Sequence, residues 1–77
     1  MTDVLAKISH IIAQVLHKGI EELELDAMFA DQGIDEFDII ELIMKLEDHF
    51  GILIEDEKAA TFNTLQDIID YIIDAVE

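Results

Sequence analysis

The stretch Gly33–Phe50, GIDEFDIIELIMKLEDHF, reads as one amphipathic helix together with its start signal. Asp35 is placed to accept a hydrogen bond from a backbone N–H two or three residues on, and Asp38 stands where a capping box puts its acid. Beyond them Ile39, Leu42, Ile43, Leu46 and Phe50 recur at helical spacing and form one stripe to bury. Asp38, Glu41, Glu47 and Asp48 crowd the other faces against a lone Lys45. Gly51 follows as a left-handed stop. The expectation is a helix over Glu36–Phe50, greasy on one side and acidic on the other.

Two further segments carry the same period. Val4, Leu5, Ile8, Ile11, Ile12, Val15 and Leu16 predict a first helix over Asp3–Lys18, with Thr2 as its N-cap and Gly19 as its stop. Leu65, Ile68, Ile69, Ile72, Ile73 and Val76 predict a last helix over Leu65–Val76, introduced by the capping pair Thr64 and Asp67. A long loop, Ile20 to Ile34, separates the first two helices; Leu23, Leu25, Met28 and Phe29 are the hydrophobes expected to pin it to the core. After Gly51, Ile52-Leu53-Ile54 reads as a short extended stretch and Asp56–Thr61 as one helical turn, with Phe62 dropping back into the core. The fold class is all-α, a small four-helix bundle with a long loop between helices 1 and 2 and a short helix 3. Residues 1–77 are expected to form a single domain.

Composition narrows the function classes. Nineteen acids against four basic residues give a net charge of −15, which repels nucleic-acid phosphates and anionic lipid surfaces and favours partners with basic patches. With 52% apolar residues the chain is too greasy for a disordered acidic tail. The absence of cysteine excludes disulfides and thiolate metal sites. No apolar run is long enough for a membrane span, and the N-terminus lacks the features of a signal peptide. A soluble, cytoplasmic monomer is expected, binding neither nucleic acid nor membrane.

Chemistry-bearing residues are few. His10 and His17 lie two helical turns apart, about 10 Å along the axis, too far to share a metal ion. An EF-hand loop counted from Asp31 would need Gly at the sixth place and Glu at the twelfth, where Glu36 and Leu42 stand. Ser9 and His10 are adjacent on a helix and point in different directions, so they make no nucleophilic pair. No metal site and no catalytic residue is expected; the chain is not an enzyme.

Taken together, Gly33-Ile34-Asp35-Glu36-Phe37-Asp38, Glu41-Leu42, Leu46-Glu47-Asp48-His49-Phe50-Gly51-Ile52 and Thr64-Leu65-Gln66-Asp67 resemble the acyl carrier protein family over nearly the whole length. That family opens its second helix with Gly-x-Asp-Ser-Leu-Asp, continues with Glu-Leu and Leu-Glu-x-x-Phe, and introduces its last helix with Thr-x-x-Asp. The resemblance implies an acyl-carrier-type bundle serving fatty-acid or polyketide-type acyl metabolism. In the family the serine carries 4′-phosphopantetheine, whose thiol holds acyl chains as thioesters. Glu36 occupies that place here, Phe37 replaces the usual Leu, and Gln32 replaces the usual Leu before the glycine. A carboxylate offers the phosphate only a hydrolysable anhydride, so no cofactor is expected on this sequence.

The resemblance also implies a partner-docking face made by Asp35, Asp38, Glu41, Met44, Glu47 and Asp48, continued by Ile54 and Asp56. Its partners would be acyl-transfer or synthase enzymes with basic patches. The alternative is a regulatory or scaffold protein outside acyl transfer that uses the acidic helix as a decoy or interaction surface. Glu36 itself carries two readings: a negative charge stabilising the first helical turn by about 0.3–1 kcal/mol, or a mimic of the charge of the phosphate.

Overall fold

Among the described residues four α-helices follow in chain order: α1 (Thr2–Leu16), α2 (Glu36–Phe50), α3 (Asp56–Ala59) and α4 (Leu65–Val76). A computed structural model describes the backbone of residues 2–76 and the side chains of residues 4–76. Both predicted capping boxes form. The Asp38 N–H donates to Asp35 Oδ1 at 2.9 Å and the Asp35 N–H to Asp38 Oδ2 at 3.4 Å. Ahead of α4 the Asp67 N–H donates to Thr64 Oγ1 at 3.1 Å, while Asp67 Oδ2 accepts from the N–H groups of Asn63 and Thr64. These bonds satisfy donors that a helix N-terminus otherwise leaves open. The expected Thr2 cap concerns a side chain outside the described residues.

The buried stripes of the three long helices meet in one core. Ile8, Ile11, Ile12 and Val15 come from α1, Leu42, Ile43 and Leu46 from α2, and Leu65, Ile68, Ile69 and Ile72 from α4. Phe29, Ile34, Ile54 and Phe62 close the core from the connecting segments. Leu5, expected inside, is exposed because it sits at the edge of the α1 stripe. Met28 is also exposed, against expectation. It sits at the N-cap of the 3₁₀ turn, and Phe29, the first residue of that turn, takes the buried place.

The long loop is organised rather than slack. It contains 3₁₀ turns at Ile20–Glu22 and Phe29–Gln32. The Phe29 N–H donates to the Asn63 carbonyl at 3.0 Å, Met28 bridges to Thr64, and the Gln66 N–H donates to the Leu25 carbonyl at 3.0 Å. The loop thereby supplies an acceptor to the first turn of α4. Gln32 adds a side-chain clamp: its Nε2 donates to the Glu24 carbonyl at 2.7 Å while its Oε1 accepts from the Glu24 N–H at 3.0 Å. A leucine at this position has no polar atoms for either bond, so the departure at Gln32 has a local structural reason.

The first helix ends earlier than its Gly19 stop predicts. His17 takes the left-handed conformation (φ 61°) and its N–H bonds to the Ala13 carbonyl at 2.9 Å, while Gly19 has φ −69°. Gly51 ends α2 in the same way, at φ 66°, with its N–H on the Glu47 carbonyl at 2.9 Å. Histidine tolerates that backbone better than most residues but less well than glycine. His17→Gly is therefore expected to raise stability by about 0.5–1 kcal/mol, or about 3–6 °C in thermal unfolding, and Gly51→Ala to lower it by about as much. A His17→Gly chain that melts below the parent would contradict this reading of the α1 terminus.

Candidate docking site on the second helix

The outward face of α2 carries a second apolar row that the sequence reading did not assemble. Phe37, Ile40 and Met44 follow at helical spacing and are 78, 48 and 61% exposed. Leu53, also 78% exposed, stands across from them on the segment leaving α2. Together they line an open groove of about 680 Å³, rimmed by Glu41, Glu47 and Asp48, with Lys45 the one cation in it. The i, i+3, i+7 spacing of Phe37, Ile40 and Met44 was the signal available in the sequence; the core stripe on the opposite side masked it.

The named docking residues fall into three places. Met44, Glu41, Glu47 and Asp48 line the groove. Asp35 and Asp38 sit at the helix tip, each with a carboxylate oxygen engaged in the capping box. Asp56 is exposed at the start of α3 and borders a smaller cleft, about 260 Å³, between α2 and α3. Ile54 lines that same cleft beside Met44 and Asp56 but is only 4% exposed and packs in the core, whereas its neighbour Leu53 is 78% exposed. Burial alternates along this segment: Ile52 and Ile54 pack on the core, and Leu53 between them stands exposed.

Glu36 is the first residue of α2 and is exposed. Among the described residues the hydroxyl side chains lie elsewhere: Ser9 on α1, Thr61 after α3 with its hydroxyl donating to the Lys58 carbonyl, Thr64 capping α4, and Tyr71 on α4. The tip of α2 thus carries an exposed carboxylate and no hydroxyl.

The remaining candidates sit apart from this face. His10 and His49 line a common groove between α1 and α2, and His17 is exposed at the α1 terminus. No group of three or more His, Asp or Glu among the described residues is arranged to hold a metal ion. None of the described helices is long and apolar enough to cross a membrane.

A family model described as a phosphopantetheine attachment site matches residues 6–72. The chain is also similar to acyl carrier protein 3 of Ralstonia nicotianae, with 39% identity over 70 residues that make up 90% of this chain and 80% of the relative. With the family model covering most of the chain and this relative 39% identical over 90% of it, the chain belongs to the acyl carrier protein family.

Proposed function

We propose that this chain is a carrier-type docking domain that engages acyl-transfer or synthase enzymes through α2 but does not itself take the 4′-phosphopantetheine arm. The observation that carries the proposal is the pairing of Glu36 at the tip of α2 with an apolar groove under an acidic rim on the same helix. A carboxylate cannot form the stable phosphodiester on which the family's cofactor depends. The groove retains what recognition needs: Phe37, Ile40, Met44 and Leu53 give contact area, and Glu41, Glu47 and Asp48 ring them with negative charge. Its occupant is an enzyme surface with a basic patch around a small apolar knob, complementary to a chain of net charge −15. The chain acts as one domain, since a radius of gyration of 11.4 Å fits the roughly 11.5 Å expected for one packed domain of this length.

Incubation with coenzyme A and a broad-specificity phosphopantetheinyl transferase, followed by intact mass, is expected to give no gain of the arm's mass. The same transferase is expected to bind the chain at low salt and to lose most of that affinity at about 0.5 M salt, where screening reaches about 4 Å. A gain of the arm's mass would overturn the assignment of Glu36. Salt-independent affinity would overturn the electrostatic docking face.

A further inference from the structure

One residue of the acidic rim is engaged in a different task. Glu47 takes three N–H groups of the chain as it leaves α2: its backbone carbonyl accepts from Gly51 at 2.9 Å and Ile52 at 3.2 Å, and its side-chain Oε2 accepts from Ile54 at 2.6 Å. The last bond closes a loop over seven residues. It spans the turn at Gly51 and ends one residue beyond Leu53. Glu47 is half-buried, unlike Glu41 and Asp48, which are exposed. A charge-assisted bond from a carboxylate to a backbone N–H is short and among the stronger ones a side chain makes.

We infer that Glu47 is a positioning residue of the docking face, whose carboxylate ties down the Gly51–Glu55 segment and so holds Leu53 as the far wall of the groove. The inference rests on the docking proposal above. Leu53 has no anchor of its own, since its side chain is 78% exposed, and α3 beyond it buries no residue. Its place opposite Met44 is therefore fixed by its neighbours: Ile54 through its buried side chain and its N–H on Glu47, and Ile52 through its N–H on the Glu47 carbonyl. Glu41 and Asp48 offer their charge to a partner, whereas Glu47 spends its carboxylate on the protein's own backbone.

The test compares Glu47→Gln, which keeps an acceptor oxygen and removes the charge, with Glu47→Ala, which removes both. Hydrogen exchange at the Ile54 amide and affinity for the phosphopantetheinyl transferase are read for each, alongside Leu53→Ala, Glu41→Gln and the Glu47→Ala/Leu53→Ala double variant. Glu47→Gln is expected to keep Ile54 protection and affinity within about threefold of the parent. Glu47→Ala is expected to speed Ile54 exchange at least about tenfold and to weaken affinity as much as Leu53→Ala does, with no further loss in the double variant. A Glu47→Gln chain that binds as poorly as Glu47→Ala with Ile54 exchange unmoved would mean the partner reads the charge, and would overturn the inference. Unchanged Ile54 exchange in Glu47→Ala would overturn it as well. Failure of the docking proposal has a separate signature, unaltered affinity in both Leu53→Ala and Glu41→Gln, and Ile54 exchange then decides alone whether Glu47 holds the segment.

Discussion

Glu36→Ser is expected to convert a chain that takes no arm into one that is loaded by a phosphopantetheinyl transferase, seen as a single added arm in the intact mass. The scaffold for that gain is already present. Position 36 is exposed, follows directly on the Asp35 cap and precedes Asp38, whose N–H is held by Asp35. A serine there would present its alcohol at a helix N-terminus, where free backbone N–H groups and the helix dipole favour a phosphate. The substitution costs little stability, since it removes at most the roughly 0.3–1 kcal/mol that an acid gains in a first turn. A Glu36→Ser chain that stays unloaded, while an ordinary carrier is loaded under the same conditions, would place the defect in the docking face. Phe37, where the family has leucine, would then be the first residue to change. Glu36→Gln adds a second reading from the same preparation. If the carboxylate stands in for phosphate charge, Glu36→Gln binds the transferase more weakly than the parent; equal affinity would leave Glu36 as a helix-tip acid only.

The second large effect is on stability. Leu46→Ala is expected to destabilise the chain by about 2.7–5 kcal/mol, the span measured for buried leucines that leave a cavity. Leu46 is fully buried on α2, among side chains from the other long helices. In a domain this small such a loss is a large share of a total on the order of 5–15 kcal/mol, and it corresponds to at least about 10 °C in thermal unfolding. Circular dichroism on heating measures it directly. Phe37→Ala, on the same helix but 78% exposed, is expected to shift the midpoint by less than about 3 °C. Similar shifts for the two variants would contradict the division of α2 into a buried and an exposed apolar face.

That division was half legible in the sequence. The core stripe, the Asp35–Asp38 and Thr64–Asp67 boxes and the Gly51 stop depend on spacing within one helix, and spacing is what a sequence records. The outer row of Phe37, Ile40 and Met44 has the same period as the core stripe on the other side of the helix, so its spacing is a signal that the stronger stripe masks. Leu53 and Ile54 show the opposite difficulty. Both are apolar neighbours in an extended stretch, one must face out, and the choice depends on which of them meets the core when α2 ends. The role of Gln32 was hidden as well, because its partners at Glu24 and Ala27 are brought to it only by the folded loop.

The sequence by itself determined the three long helices, their ends to within a turn, the all-α class, the acidic surface and the carboxylate at position 36, because each follows from local hydrogen bonding, from period or from side-chain chemistry. Tertiary structure alone decided that Leu53 faces outward and Ile54 inward, that Gln32 clamps the long loop, and that Glu47 holds its own backbone. The Gln32 and Glu47 bonds reach only eight and seven residues along the chain, but across turns whose path is fixed only when the α1, α2 and α4 stripes pack into one core.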